Sequence, residues 1–286
     1  MMNFGGHEVV YDYGESRVII LPVPYDETST YMKGSDKGPD AILNASPNLE
    51  FFDVETLSEA HIVGIHTVDP ILVKDTPEHL VKSVKERTLH LLNDGKFPVI
   101  IGGNHTVPIG AFSAYSEFYK DLTILQLDAH ADLRPEYEGS PLNHACAMAR
   151  AREFAPIVQV GIRSMSKDEL PYLQKDRMFF AHDLYRDKSL YDKALGMLTP
   201  NVYLTIDLDV FDPSLMPSTG TPEPGGPEYN ELMNFLREVI DNRNLVGFDV
   251  VELCPSEANK APDFIAAKII YQLLSYRFRD ETTELT

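Results

Sequence analysis

The chain has 286 residues and carries 44 Asp and Glu against 25 Lys and Arg, a formal net charge of −19. Such an excess repels phosphate backbones and anionic membranes, which argues against nucleic acid or lipid as the main partner and leaves plain solubility or attraction of a cationic substrate. The two cysteines, Cys146 and Cys254, make neither a disulfide framework nor a thiolate zinc site; with no basic-then-apolar leader and no apolar run near the ~18 residues of a membrane span, a cytoplasmic location is expected.

In chain order, short Val- and Ile-rich runs alternate with amphipathic stretches of helical length. Residues 18–21 and 62–65 read as the first two strands. Thr76 then caps a helix with Pro77 in its first turn. Leu80, Val84, Thr88 and Leu91 share one face, and Gly95 ends it. Strands follow at 99–101, 123–127, 157–160, 202–206 and 245–250, with a helix from about Pro227 (Leu232, Phe235, Leu236, Val239) and another after Pro262 (Ile265, Ile269, Leu273, Leu274). Continuous apolarity in so many short runs predicts strands buried on both faces: a single α/β/α domain over residues 1–286 with a central, mostly parallel sheet. Residues 135–143 and 212–227 are the two long Gly/Pro-punctuated loops, and long loops in a compact domain are more often functional than idle.

Ligands of an open parallel sheet bind outside the carboxyl ends of its strands. Four predicted strands run into chemistry there: Gly102-Gly103-Asn104-His105, then Asp128-Ala129-His130-Ala131-Asp132, then Asp207-Leu208-Asp209, then Glu252. Residues two apart on an extended chain point to one side, so Asp128, His130 and Asp132 are expected to converge, as are Asp207 and Asp209. Taken singly, His105 is compatible with a polar loop residue and the last pair with strand-end caps. Together, four carboxylates at one sheet edge repel each other unless positive charge lies between them. Two divalent ions balance four Asp; six protein ligands also exceed the about three usual for one catalytic ion. Carboxylate and imidazole without thiolate suit Mn²⁺ and related ions.

These segments, with Asp207-Leu208-Asp209-Val210-Phe211-Asp212-Pro213, the run from Gly220 to Gly226, and Val251-Glu252-Leu253-Cys254-Pro255, resemble the signature segments of the ureohydrolase family of arginases and agmatinases. The early stretch around Gly38-Pro39 is similar too, so the resemblance covers most of the chain in unchanged order. It implies an arginase-like fold, two Mn²⁺, a homo-oligomer (trimer or hexamer), and hydrolysis of a guanidino group to urea and an amine. It also implies His105, Asp128, His130, Asp132, Asp207 and Asp209 as metal ligands, His144 as a proton shuttle, and Thr221 and Glu252 as substrate contacts. Two positions depart from the family pattern: Asn104 stands where Asp is usual, and Asn143 where many relatives have Ser. If Asn104 orients ligands from behind, it brings a hydrogen bond but no charge.

A guanidinium is protonated at physiological pH and its carbon is a poor electrophile, so it needs a strong nucleophile; metal binding lowers the pKa of water to about 7 and supplies hydroxide. Glu252 is then the anchor of the substrate nitrogens, Asp132 the group that passes a proton to the leaving nitrogen, and His144 the relay to solvent. The loop between Asp132 and His144 offers Glu136, Tyr137 and Glu138, which suit a cationic far end and repel a carboxylate. That favours the agmatinase branch over arginine, with Tyr137 and Glu138 as substrate contacts. Agmatine and the longer aminopropylagmatine fit the same electrostatics and stay open. Rival readings are weaker: the chain lacks the His-His pair of related deacetylases, neither signature loop has a basic cluster for phosphate, and an inactive metal-stabilised relative rests on Asn104 alone.

Overall fold

Consecutive residues of the first strand pack into different cores, which is what a sheet covered on both faces requires. In the computed structural model, which describes residues 2–282, strand β1 (Val18–Val23) sends Val18 and Ile20 to one side and Ile19 and Leu21 to the other. The remaining strands are β2 (Ile65–Thr67), β3 (Phe97–Gly102), β4 (Leu122–Leu127), β5 (Ile157–Ile162), β6 (Met178–Phe180), β7 (Asn201–Asp207) and β8 (Asn244–Val251). They form one eight-stranded sheet in the order β2-β1-β3-β8-β7-β4-β5-β6, and every pairing is parallel.

Helices α1 (Gly38–Ala45), α5 (Ala181–Arg186), α6 (Leu190–Gly196), α7 (Tyr229–Asn242) and α8 (Ala261–Thr282) cover the face that holds Val18 and Ile20, through Ile42, Leu184, Ala194, Leu232 and Ile269. Helices α2 (Pro77–Asn93), α3 (Ile109–Phe118) and α4 (Ala147–Phe154) cover the other, through Leu80, Val84, Phe112 and Met148. The expected three-layer α/β/α sandwich is what forms. Among the described residues no helix is long and apolar enough to cross a membrane.

Helix α2 follows its sequence signals: Thr76 accepts from the His79 N–H at 3.2 Å, Pro77 lies in the first turn, and Gly95 just past the end takes φ +71°. The expected strand over 62–65 is displaced. A 3₁₀ turn occupies Ala60–Val63, and β2 begins only at Ile65. Gly64 explains the shift: it adopts φ +79°, and a β-carbon there would lie 2.7 Å from the Ser16 backbone, so the chain bends before it enters the sheet. Helix α3 was not anticipated because residues 109–115 are all buried, which leaves no polar face and no helical period to read. It packs against α2 closely enough that a β-carbon on Gly110 would come within 2.3 Å of the Val81 carbonyl.

Candidate metal centre

The four strands that carry the chemistry, β3, β8, β7 and β4, are the four adjacent central strands, so their carboxyl ends open onto one place. After β3, Gly102 and Gly103 let the chain pass under the loop that follows β1. A β-carbon on Gly103 would lie 2.0 Å from the Tyr25 carbonyl, while Gly103 and Asn104 donate their N–H groups to Val23 and Tyr25. His105 arrives buried, its Nδ1 3.0 Å from Asp128 Oδ2, 3.1 Å from Asp132 Oδ2 and 3.6 Å from Asp207 Oδ2. A second group shares Asp128: His130 Nδ1 lies 2.8 Å from Asp209 Oδ2 and 3.6 Å from Asp128 Oδ1. His105, Asp128 and Asp132, and separately Asp128, His130 and Asp209, each bring ligand atoms within 4.8 Å of one another, the spacing of metal sites.

The convergence is achieved differently from an extended chain. Asp132 turns back with φ +52°, and Asp207 caps a 3₁₀ turn, Leu208–Val210, by accepting the Asp209 N–H at 2.9 Å. The Asp128 carboxylate takes the His130 N–H at 2.6 Å, and Asp209 takes that of Ala129 at 3.1 Å. Each of these bonds thus uses one carboxylate oxygen to hold a neighbouring candidate ligand segment in place.

The residues fit cations on two grounds. The Thr205 hydroxyl donates to Asp249 Oδ1 at 2.7 Å, so it can only accept from His105 Nε2, 2.9 Å away. That tautomer leaves the Nδ1 lone pair facing three carboxylates, and Nδ1 has no hydrogen-bond partner. Second, the bare cluster is electrostatically frustrated. Burial, then the charges of Asp209, Asp128 and Glu252, hold the Asp207 carboxyl well above its usual range. Burial alone would lower the His105 pKa, yet Asp128 and Asp132 hold it well above that of a free imidazole. A proton or a divalent cation answers that need.

Glu252 follows β8 with φ +67°. Its Oε1 accepts the His105 N–H at 2.8 Å and lies 3.9 Å from His144 Nδ1; burial pushes its carboxyl up to about 8. His144 faces the Thr30 hydroxyl at 3.4 Å, and burial pushes its pKa down to about 4, so it is neutral at pH 7. Tyr137 meets the His144 ring edge-to-face at 6.4 Å and carries the Arg134 guanidinium over its own face at 4.7 Å. Glu138 is exposed at the tip of the turn closed by Tyr137 and Ser140, with φ +50° followed by +80° at Gly139. Thr221 is half-buried beside Gly220, where a β-carbon would lie 3.7 Å from Glu252 Oε2. Among the described residues, the Asn104 side chain hydrogen-bonds to no side chain of either cluster. Its Nδ2 donates to Thr28 at 2.7 Å and Ser29 at 3.2 Å, tying down the loop that brings Thr30 to His144. Asn143 caps the turn that opens with His144 by accepting the Ala145 N–H at 3.1 Å.

Several supporting residues had escaped notice. Arg163 donates to the carbonyls of Asp209, Val210, Phe211 and Glu223 at 2.7–3.2 Å, stitching the ligand turn to the 212–227 loop. Buried Glu169 accepts the Leu133 N–H at 2.8 Å, directly after Asp132.

Sheet topology and the paired carboxylate–imidazole clusters together define a metallohydrolase of the ureohydrolase class. The family model described as "Arginase family" matches residues 16–275. The chain belongs to the arginase family. It is 39% identical over 278 residues to the N(1)-aminopropylagmatine ureohydrolase of Thermus thermophilus, covering 96% of this chain and 94% of that one. It is 32% identical to the agmatinase of Halalkalibacterium halodurans, covering 92% and 93%. The solved agmatine ureohydrolase of Thermoplasma volcanium superposes with a TM-score of 0.88 at 27% identity, over 98% of this chain and 96% of that one.

Proposed function

We propose that this protein, acting as one domain, hydrolyses the guanidino group of a linear guanidino-polyamine to urea and the free amine, with aminopropylagmatine as the preferred substrate and agmatine as the second. The observation that carries the reading is the sharing of Asp128 between two clusters beside the buried Glu252 carboxylate. The choice between the two polyamines rests on the relatives: the aminopropylagmatine enzyme of Thermus is the more similar of the two compared. The same reading brings Mn²⁺ as the resident ion, a trimeric or hexameric assembly and a cytoplasmic location.

His105, Asp128, Asp132 and Asp207 would hold one ion and Asp128, His130, Asp207 and Asp209 the other. When bound, the pair supplies Lewis acidity and a water-derived nucleophile at neutral pH. The guanidinium charge holds Glu252 ionised despite its burial, so that Glu252 pairs with the guanidinium nitrogens by charge-assisted hydrogen bonds and presents the central carbon to the clusters. As a C–O bond forms and the C–N bond to the chain breaks, Asp132 takes the proton released by the nucleophile and gives it to the departing amine. His144, neutral and at the mouth, exchanges protons between that amine and solvent. Tyr137, Glu138 and Thr221 line the way in, where an ammonium is tolerated and a carboxylate is not.

Urea release with Mn²⁺ and aminopropylagmatine, agmatine or arginine tests this. The expected order of kcat/KM is aminopropylagmatine, then agmatine, with arginine far behind. Arginine turned over as well as either polyamine would refute the substrate class.

A further inference from the structure

One level beneath the ligands, the central strands carry polar residues where an apolar side chain is the norm. The sheet register pairs Asp249 with Thr205, Thr205 with Gln126, and Gln126 with Gln159. All four are at most 1% exposed. Leucine, isoleucine and valine fill most of the same strands, and a buried amide is costly unless every donor is used.

Every donor of the glutamine pair is used, and all but one are used on the ligand segment. Gln159 Nε2 donates to Gln126 Oε1 at 2.6 Å and to the Ala131 carbonyl at 2.8 Å. Gln126 Nε2 donates to Asp128 Oδ2 at 2.6 Å and to the His130 carbonyl at 3.3 Å. The gripped oxygen, Asp128 Oδ2, is the one 3.0 Å from His105 Nδ1, and Asp128 is the residue common to both clusters. Other side chains cannot do this. Glutamate offers no donor and adds negative charge to a crowded edge, lysine brings a cation that competes with a metal ion, and leucine leaves Asp128 held through Oδ1 alone.

We propose that Gln126 and Gln159 are positioning residues for the cation pair. They lock the Asp128 carboxylate in the one orientation that serves both sites, and do so without changing the charge of the cluster. The proposal rests on the two-cation reading above and deepens it.

The test uses metal-stripped full-length protein. Mn²⁺ affinity is measured by chelator competition, bound metal per chain after gel filtration, and the fold by melting in EDTA. Gln126→Met keeps the side-chain length and removes the donors. Gln126→Glu keeps the shape and the acceptor for Gln159, but turns an oxygen toward Asp128. Both are expected to melt cooperatively in EDTA and to bind Mn²⁺ at least tenfold more weakly, retaining fewer than two ions per chain. Gln159→Leu is expected to lose affinity by a smaller factor, because Gln126 then keeps its bond but loses its brace. Wild-type affinity and stoichiometry in either folded Gln126 variant overturns the proposal, as does a Gln159→Leu protein that melts lower in EDTA yet binds Mn²⁺ normally. Should Gln126→Met fail to fold, Gln126→Glu decides alone. A wild-type chain that takes up no Mn²⁺ overturns the two-cation reading itself, and is seen before any variant is made.

Discussion

Glu252 accepts the backbone N–H of His105 at 2.8 Å although the two are 147 residues apart in sequence. The adjacency of β3 and β8 brings them together, and the bond steadies a side chain whose residue sits at φ +67°, a conformation costing about 1–3 kcal/mol outside glycine. Glu252→Gln keeps an acceptor for that bond and removes the charge. Losing one partner of a buried charged pair costs about 2–5 kcal/mol, so kcat/KM for either polyamine is expected to fall roughly thirtyfold or more, with Mn²⁺ content unchanged. Steady-state kinetics with metal analysis checks this; a value within threefold of wild type ends the assigned role.

Asp132 and Asp209 belong to different clusters, and each is a ligand candidate. Asp132→Ala and Asp209→Ala are expected to lose more activity than the roughly 10–100-fold typical of outer-shell changes, and each to lower bound Mn²⁺. Urea assays alongside elemental analysis decide. Near-normal turnover in either variant defeats the scheme.

Metal removal is expected to lower the melting temperature. A ligand at about a hundred times its dissociation constant stabilises by about 2.7 kcal/mol, and a chain of this size loses about 2–4 °C per kcal/mol. Scanning calorimetry of Mn²⁺-loaded against EDTA-treated protein should therefore differ by roughly 5–10 °C. Equal melting of demonstrably loaded and stripped samples argues against cations at this edge.

Asp249 supplies the pH test. Burial raises its carboxyl from 3.8 to about 7 in the folded chain. The unfolded chain therefore releases this proton at lower pH than the folded one, so the group's contribution to stability is complete below about pH 4 and is lost as pH rises to about 7. Asp249→Asn removes that dependence and retains an acceptor for Thr205. In EDTA, its melting temperature relative to wild type is expected to be higher at about pH 8 than at about pH 4. Thermal melts across that range show it, and a difference independent of pH contradicts the shift.

Asn104 holds Thr28 and Ser29, not a ligand, so its consequence lies at the mouth. Asn104→Ala is expected to raise KM several-fold with Mn²⁺ affinity little changed, since roughly 1 kcal/mol rests on each such bond. If the change weakens Mn²⁺ and leaves KM alone, the position acts on the ligands after all.

The ligand segments were readable because each follows an apolar strand with a short, charged, unmistakable spacing, and the strands themselves because β-branched runs buried on both sides need no period. What escaped was of two kinds. Helix α3 is apolar all round, and the three-residue β6 is too short to stand out from its surroundings. The braces behind the site, Gln126, Gln159, Thr205 and Asp249, left a signal in plain view: single polar residues inside otherwise greasy strands. Their meaning depends on register, which no local pattern of the chain reveals. Arg163 acts through backbone groups far along the sequence, so nothing in its neighbours betrays it; Glu169 closes a local Ser166-x-x-Glu169 capping box, but its bond to the Leu133 N–H shows only in the fold.

The middle of the sheet is filled out of chain order, with β8 and β7 seated between β3 and β4. While the polypeptide is still emerging from the ribosome, its amino-terminal half therefore holds two unpaired edges on either side of a gap that later segments must enter. His105, at the end of β3, and Asp128, at the end of β4, meet across the ends of these two inserted strands. A cation held by all of these strand ends would thus report that β7 and β8 have found their slots.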